Sequence, residues 1–397
     1  MTEQPAFVVV GASLAGLRAV EAARKTGYAG RLVLVGAEQH LPYDRPPLSK
    51  AFLDPGDPPP VPHHRTDEQL RELDVELRLG RAATGLDTSA REVVLADGER
   101  LRYAQLVIAT GAQARQLPGE QLPGVHTLRT VDDARAIRSA MDAGCRTVVV
   151  GGGFIGSEVA SAARKRDLPV IVLEAAPMPL VRAVGEQMAP ACAALHARHG
   201  TELRCGVAVA ALEGDGHVER VVLTDGQVLP ADLAVVGIGA DPATGWLQDS
   251  GLELDDGVVC DATLRAAEGI YAAGDVARWT NPQFDQVMRL EHWTSAAEQG
   301  AAAARNALDP GNATPYSTVP YLWSDWYTDK LQMVGITAAD EVHVVGDLDG
   351  ERWVALYRRG DALVGALALN LPGRIMKYRA MIGRRTAWSD AMSFAAA

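Results

Sequence analysis

Two glycine-rich turns in this sequence have a spacing that suits phosphate binding. Residues 151–156 read GGGFIG, so that glycines at the first, third and sixth positions follow an apolar run and precede a helical pattern. In this G-x-G-x-x-G arrangement the glycines let the backbone approach a pyrophosphate at a helix N-terminus. Residues 11–16 read GASLAG, and Ser13 replaces the middle glycine there. The sequence therefore predicts one intact dinucleotide-binding turn and a second whose identity is open.

An acidic residue at the end of the next strand bears on the choice of dinucleotide. Glu174 lies 23 positions after Gly151, where a carboxylate can accept hydrogen bonds from the ribose hydroxyls of NAD. The same carboxylate would repel the 2′-phosphate of NADP by roughly 5 kcal/mol before screening. Arg182 follows in a loop and offers a partial counter-charge. We therefore expect a preference for NADH.

A proline-stiffened segment carries two cations between the turns. Residues 45–50 read RPPLSK, so that Arg45 and Lys50 flank two prolines and a short apolar stretch. Because prolines fix the local backbone, a rigid loop of this kind could hold a flavin pyrophosphate or lie beside the flavin ring. An ordinary loop with solvated charges is the alternative, and composition alone favours it.

Each glycine-rich turn needs a strand before it and a helix after it. Hydrophobic periodicity predicts two such β-α-β units, whose strands and helices lie at residues 7–10, 14–26, 31–35, 147–150, 157–166 and 169–173. Asp-Gly pairs at 97–98 and 225–226 predict a hairpin after each unit. Two nucleotide-binding units in one chain predict two dinucleotides, one a bound cofactor and the other an exchanging partner. After a linker at 312–315, alternating segments predict a small α+β domain that ends in a helix.

The composition narrows the class of protein. The chain has 397 residues, 48% of them apolar, and a net charge of −12, which argues against nucleic-acid binding because phosphate backbones need a basic surface. Its four cysteines lie far apart without metal-type spacing, which is typical of reduced thiols and predicts no metal site. No apolar run approaches about 18 residues, and the N-terminus shows no leader pattern. These features predict a soluble cytoplasmic protein without a membrane span.

Several motifs occur in an order that resembles a known family. The order is RPPLSK at 45–50, ATG at 109–111, GGGFIG at 151–156, GIG at 237–239 and YAAGDV at 271–276. It is similar to that of the FAD-dependent NADH–ferredoxin reductases of the putidaredoxin-reductase-like type, which serve P450 or ring-hydroxylating dioxygenase systems. The resemblance covers essentially the whole chain, including WSDWY at 323–327.

The resemblance implies an α/β fold of the glutathione-reductase-like flavoprotein type. It has two Rossmann-like dinucleotide-binding domains and a C-terminal α+β domain. The implied FAD-binding domain is discontinuous and takes residues 1–110 and 235–314. The implied NADH-binding domain takes residues 111–234, and the C-terminal domain takes residues 315–397.

The resemblance also implies roles for individual residues. The implied FAD contacts are Gly11, Ser13, Leu14, Ala15, Gly16, Glu38, Arg45, Lys50, Ala82, Ala83, Thr110, Gly111, Arg129, Asp275 and Trp293. The implied NADH contacts are Gly151, Gly153, Phe154, Ile155, Gly156, Glu158, Glu174 and Gly239. The implied catalytic residues are Lys50 and Glu158, which pair in relatives and could hold the nicotinamide.

Three of these assignments have alternatives or depart from the family. Glu158 also fits a first-turn acid that complements the helix dipole. In relatives the acid that contacts the FAD ribose often directly follows the glycine at the end of the second strand, whereas here Ala37 stands before Glu38. Trp293 matches a flavin-contacting position, but Trp293 and Trp323 could equally be core aromatics.

Two features of the sequence bear on the electron acceptor, namely the absence of a cysteine near residues 45–50 and one cluster of cations. Disulfide reductases of similar architecture need a redox cysteine near the flavin, and no cysteine lies near residues 45–50. The family instead implies a small acidic iron–sulfur ferredoxin. Its docking surface could be five cations within twelve residues, Arg374, Lys377, Arg379, Arg384 and Arg385. A solvated helix face is the simpler interpretation of this cluster.

Three alternatives to ferredoxin reduction stay open at this point. A rubredoxin reductase or an NADH oxidase would keep every motif and differ only in its acceptor. An NADH-sensing interaction protein like apoptosis-inducing factor would use NADH binding to change its partners. A scaffold that has lost its flavin through the change at Ser13 is the third.

Overall fold

The computed structural model describes residues 5–119 and 122–396, and in it the chain forms two compact units. Unit 1 consists of the chain up to Asp44 together with Val61–Gln113 and Asp241–Pro320. Unit 2 consists of Arg45–Pro60, Ala114–Ala240 and the chain from Tyr321. Two short strands, Ala112–Ala114 and Ala240–Pro242, contain points where the chain passes from one unit to the other.

A largely parallel sheet forms the centre of unit 1. In spatial order its strands are Arg265–Ala267, Ile270–Ala272, Arg100–Ile108, Ala6–Val10, Leu32–Val35 and Glu76–Arg78. The strand Ala6–Val10 pairs in parallel with both of its neighbours, so that Val8 lies opposite Val33 and Leu106. Every residue of that strand is buried, as expected for an apolar run in a sheet covered on both faces.

Smaller elements complete unit 1. The strand Glu92–Leu95 pairs antiparallel with Arg100–Ile108, and Ala83–Asp87 pairs antiparallel with Glu92–Leu95. The predicted Asp-Gly turn at 97–98 closes the second of these hairpins. A separate sheet is formed by Val258–Cys260, Ala277–Asn281 and Gln286–Arg289. The helices are Leu14–Lys25, Asp67–Glu72 and Trp293–Leu308, with 3-10 turns at Gly245–Leu247, Gly274–Val276 and Pro310–Asn312.

Unit 2 repeats the parallel β-α-β design. In spatial order its parallel strands are Glu202–Cys205, Val170–Glu174, Thr147–Val150, Leu233–Val236 and Val125–Thr127. An antiparallel sheet of Val209–Glu213, Arg220–Leu223 and Val228–Pro230 contains the predicted turn at 225–226. The helices here are Val131–Asp142, Phe154–Lys165, Val181–Val184 and Ala189–Arg198, and Pro46–Ser49 forms a 3-10 turn.

The last part of unit 2 is an antiparallel sheet, here called the C-terminal sheet. Its strands in spatial order are Tyr321–Trp326, Asp329–Gly335, Ala362–Leu369, Trp353–Arg359 and Glu341–Gly346. The helices Pro372–Gly383 and Trp388–Ala396 follow it. The predicted alternating segments are therefore strands, and the predicted mixed α/β fold class is confirmed. The predicted domain boundaries stay a prediction, and their outer ends at residues 1 and 397 lie outside the described residues.

The helix after the second glycine-rich turn corrects one predicted boundary. We expected it at residues 157–166, but it runs over Phe154–Lys165. Gly153 is its N-cap, in an extended conformation, so the helix begins inside the glycine-rich motif itself. Glycine gives little sequence signal for a helix start, because polar N-caps are the usual marker.

Candidate active site

The first glycine-rich turn, in unit 1, is built to bring backbone close to an anion. Gly11 has a φ of +120°, and a Cβ there would lie 2.0 Å from the carbonyl oxygen of Ala109. A Cβ on Gly16 would lie 1.8 Å from the carbonyl oxygen of Gly11. Ser13 is the extended N-cap of the helix Leu14–Lys25, whose first turn contains no acidic residue. This helix N-terminus therefore suits a phosphate, with Leu14 and Ala15 in its first turn.

A second group of unit 1 residues provides polar atoms that have no protein partner. The backbone N–H of Gly274, beside Asp275, donates to Oε1 of Gln299 over 2.8 Å. Among the described residues, Nε2 of Gln299 and Nδ1 of His292 are buried without a hydrogen-bond partner. Burial lowers the pKa of His292 to about 4. Because buried polar atoms are normally paired, these atoms fit a bound group that is rich in hydrogen-bonding atoms, as FAD is.

The remaining predicted FAD contacts of unit 1 have structural partners of their own. The carboxylate of Glu38 accepts a hydrogen bond from Tyr43 Oη at 2.5 Å, and Thr110 Oγ1 donates to the carbonyl of Ala243 at 2.9 Å. Trp293 Nε1 donates to Asp44 Oδ1 at 2.7 Å. The other predicted contacts here are backbone positions. The carbonyl of Gly111 accepts the N–H of Ala243, and the carbonyl of Ala82 accepts the N–H of Ala96. Ala83 is the first residue of a strand.

The second glycine-rich turn, in unit 2, has the same construction. Gly151 has a φ of +108°, and a Cβ there would lie 2.3 Å from the carbonyl oxygen of Gly237. A Cβ on Gly156 would lie 2.1 Å from the carbonyl oxygen of Gly151. A Cβ on Gly153, by contrast, would meet nothing closer than 3.9 Å. The protein's own packing thus does not require the middle glycine, and the space beside it fits the pyrophosphate of a dinucleotide.

Glu174 lies against this second turn. Its Oε2 accepts the backbone N–H of Gly152 at 2.9 Å, and its Oε1 accepts that of Ala176 at 2.8 Å. The helix behind the turn begins with Phe154 and Ile155, and Ile155 is 41% exposed. The other predicted NADH contact, Gly239, accepts the N–H of Arg115 through its carbonyl.

The predicted catalytic pair is formed within unit 2. Lys50 Nζ lies 2.8 Å from Oε1 and 2.9 Å from Oε2 of Glu158, whose side chain is only 2% exposed. Ser49 Oγ donates to Oε2, while Ser324 Oγ, at 2.5 Å, and the backbone N–H of Asp325, at 3.2 Å, donate to Oε1. Four groups therefore hold one buried carboxylate, which satisfies both of its oxygens.

The alternative interpretation of Glu158 as a first-turn acid is wrong. The helix begins at Phe154 and has no acidic residue in its first turn, so Glu158 is its fifth residue. Sequence reasoning also missed the two serines that hold this carboxylate. Ser49 stands next to Lys50 in the RPPLSK segment, but Ser324 lies in a strand of the C-terminal sheet, 166 positions along the chain from Glu158.

Two further predicted FAD contacts meet in unit 2. Arg45 Nη1 donates to the carbonyl oxygen of Arg129 over 2.6 Å, and both residues also take part in other interactions. The predicted FAD contacts are thus divided between the units, with Arg45, Lys50 and Arg129 in unit 2 and the others in unit 1.

The five C-terminal cations differ in their surroundings. Arg374 Nη2 donates to the carbonyls of Phe394 and Ala395, each at 2.8 Å. The guanidinium of Arg379 lies 5.8 Å from the ring centroid of Tyr321, which stacks on Trp323. The other three cations, Lys377, Arg384 and Arg385, are exposed.

Comparison with known proteins shows the class of this molecule. The chain belongs to the pyridine nucleotide-disulphide oxidoreductase family, whose model matches residues 5–300, and a reductase C-terminal domain matches residues 321–395. The chain is 37% identical to rhodocoxin reductase of Rhodococcus erythropolis, over 95% of this chain and 89% of that protein. It is 38% identical to the ferredoxin–NAD(+) reductase subunit of the benzene 1,2-dioxygenase system of Pseudomonas putida, over 90% and 87%.

A solved structure gives the same result. The chain matches the covalent putidaredoxin reductase–putidaredoxin complex with a TM-score of 0.91 and 32% identity, over 97% of this chain and 94% of the matched chain. The predicted family, FAD-dependent NADH–ferredoxin reductases, is therefore confirmed, and with it the enzyme class and the cofactors FAD and NADH. Within the described residues, no helix is both long and apolar enough to cross a bilayer.

Proposed function

We propose that this chain passes electrons from NADH through FAD to a small acidic iron–sulfur ferredoxin that feeds a P450 or a ring-hydroxylating dioxygenase. FAD, when bound, accepts two electrons as a hydride and returns them one at a time. Each NADH thus reduces two ferredoxins and releases one proton. The observation that carries the proposal is the buried Lys50–Glu158 pair in a chain with two dinucleotide turns.

In this proposal the first turn and the nearby polar groups hold FAD. The N-terminus of the helix Leu14–Lys25 faces the pyrophosphate, and Ser13 offers its hydroxyl to a phosphate oxygen. Asp275 binds the ribityl chain, and His292 and Gln299 provide the buried polar atoms that lack a protein partner. These last two residues are additions to the sequence-based set.

The second turn holds NADH, and Glu174 selects it over NADPH. Two backbone N–H groups fix the carboxylate of Glu174 beside the turn. A fixed negative charge there accepts hydrogen bonds from ribose hydroxyls and repels a 2′-phosphate.

Lys50 and Glu158 orient the nicotinamide and do not act as general acid and base. Hydride transfer needs no protein proton donor, so an ion pair here contributes through position and electrostatics. The Glu158→Gln variant should reduce its FAD at least tenfold more slowly with NADH while FAD stays bound. Stopped-flow reduction of the FAD-loaded enzyme measures this, with the exposed Glu186→Gln as control. An unchanged rate in Glu158→Gln would overturn the role.

The exposed C-terminal cations form the proposed ferredoxin-docking surface. Lys377, Arg384 and Arg385 are exposed in a segment without acidic residues, and the neighbouring Met376 is 41% exposed. Cations steer an anionic partner, and an exposed apolar side chain suits the centre of an interface.

The docking proposal is tested by a matched pair of triple variants. Changing Lys377, Arg384 and Arg385 to Gln should slow ferredoxin reduction about tenfold at low salt and much less at high salt. The control changes three exposed cations of unit 1, Lys25, Arg102 and Arg265, to Gln, which alters net charge equally. Equal losses in both triple variants would assign the effect to net charge and overturn the docking surface.

An assay with several electron acceptors separates this proposal from the alternative functions. The four cysteines are unpaired, and burial raises the pKa of Cys192 and Cys260 to about 12, which disfavours thiolate chemistry. A ferredoxin, a rubredoxin and oxygen should be offered side by side to the NADH-reduced enzyme. Slow turnover with all three and an NADH-dependent change of oligomeric state would favour a sensing role instead. The unpaired cysteines agree with the cytoplasm as the proposed compartment.

A further inference from the structure

Buried polar contacts join the helix Phe154–Lys165 to the first strand of the C-terminal sheet. Ser324 is fully buried, and its Oγ lies 2.5 Å from Oε1 of Glu158. Trp326, also fully buried, places its Nε1 2.8 Å from the same Oγ. A chain of two hydrogen bonds therefore leads from the indole through the hydroxyl to the carboxylate.

The chemistry of these groups fixes the direction of both hydrogen bonds. The indole N–H can only donate, so Oγ of Ser324 accepts from Trp326. The hydroxyl hydrogen is then left to donate to Glu158, whose carboxylate oxygens are acceptors. Trp326 thus orients the Ser324 hydroxyl toward Glu158.

The two serines contact different oxygens of the Glu158 carboxylate. Ser324 and the backbone N–H of Asp325 donate to Oε1 and Ser49 donates to Oε2, while Lys50 lies within 2.9 Å of both oxygens. A glutamate has three rotatable side-chain bonds, so a single ion pair does not fix its plane. Donors to the two oxygens from separate segments do fix it, and with it the position of the Lys50 ammonium group.

We propose that Ser324, oriented by Trp326, is a positioning residue that holds Glu158 for the reaction with NADH. The inference rests on the proposed role of the Lys50–Glu158 pair. It gives the C-terminal sheet a part in flavin reduction by NADH that is separate from any part in binding the electron acceptor.

The test compares two serines in contacts between the helix Phe154–Lys165 and residues 324–327. Ser324→Ala removes the hydrogen bond to Glu158. Ser161→Ala removes a hydrogen bond of another buried serine, in which Ser161 Oγ accepts the backbone N–H of Tyr327 without touching Glu158. Stopped-flow reduction by NADH should be about tenfold slower in Ser324→Ala, as expected for loss of a hydrogen bond to a charged group, and within about twofold of wild type in Ser161→Ala.

A double-mutant cycle shows whether Ser324 acts through Glu158. In the Glu158→Gln background, Ser324→Ala should slow reduction less than about twofold, because its partner charge is gone. The spectral change of oxidised flavin on binding NAD⁺ gives a second readout, which should be altered by Ser324→Ala and unchanged by Ser161→Ala. Trp326→Phe, which removes only the indole donor and some volume, should show the same non-additivity with Glu158→Gln.

The outcomes separate this inference from the proposed function. If Glu158→Gln reduces at the wild-type rate, the proposed role of the ion pair fails. Suppose instead that Glu158→Gln is reduced slowly. If Ser324→Ala is then reduced as fast as Ser161→Ala, or if Ser324→Ala slows reduction by the same factor in the Glu158→Gln background, the positioning role of Ser324 is overturned. The role of the Lys50–Glu158 pair stands in both cases.

Discussion

Removal of the Lys50 charge should destabilise the protein, because it leaves Glu158 as a buried anion. The Lys50 side chain is 19% exposed and that of Glu158 only 2%, with Nζ and Oε1 2.8 Å apart. At an effective dielectric constant of about 20, the attraction at this distance is about 6 kcal/mol, and the lost hydration of both groups offsets much of it. Three other donors, Ser49, Ser324 and the Asp325 N–H, remain for Glu158.

We therefore expect Lys50→Met to cost about 2–3 kcal/mol, below the roughly 3–5 kcal/mol typical of a broken buried pair. For a unit of this size, that lowers the unfolding midpoint by roughly 4–12 °C. Thermal unfolding of FAD-saturated protein measures the shift, with the exposed Lys25→Met as control.

The deciding comparison is the double variant Lys50→Met/Glu158→Gln. It removes the uncompensated charge and keeps a side chain that can still bind the serine hydroxyls, so it should be more stable than Lys50→Met alone. A double variant that melts at or below the Lys50→Met midpoint would refute the electrostatic argument and assign the loss to packing of the lysine stem.

Three further outcomes are expected. Ser13→Gly should keep FAD and Ser13→Leu should release it, as measured by the visible flavin absorbance of purified protein. Glu174→Gln keeps one acceptor oxygen for the turn but removes the negative charge. The affinity for NADPH should therefore rise more than tenfold, while the affinity for NADH should change little. Equal changes in affinity for both coenzymes would contradict the charge argument. Burial lowers the pKa of His196 to about 4, below its unfolded value of about 6.5. As the pH falls from about 6.5 to about 4, the unfolded state therefore binds a proton before the folded state does, and the free energy of unfolding decreases. Between pH 7 and pH 5 this amounts to about 2 kcal/mol, and His196→Gln should show a correspondingly shallower fall in unfolding midpoint than wild type.

The sequence was informative where function depends on local spacing. The strand, turn and helix order of both dinucleotide units could be predicted, because apolar periodicity and glycine spacing act over fewer than about 30 residues. The helix start at Phe154 was missed because Gly153 is a weak cap signal. The hydroxyl of Ser324 could not be assigned to Glu158, since only the folded C-terminal sheet brings these distant positions together.

The unpartnered polar atoms of His292 and Gln299 were missed for a related reason. His292 and Gln299 stand seven positions apart on or beside one helix, a spacing that puts them on the same face. That pattern is common in helices and becomes informative only when the fold shows which polar atoms have no protein partner.

The two glycine-rich turns explain why Ser13 is compatible with a nucleotide site. In both turns the protein's own packing requires the first and last glycines. A Cβ would lie within 2.3 Å of a carbonyl oxygen at each of Gly11, Gly16, Gly151 and Gly156. The middle position is different, since a Cβ on Gly153 would have no neighbour within 3.9 Å. The fold of the second turn therefore leaves room for a side chain at this position, and a bound pyrophosphate would limit its size. A serine is small enough and can donate a hydrogen bond to a phosphate oxygen, whereas a leucine would occupy the space of the phosphate while the turn itself stays folded.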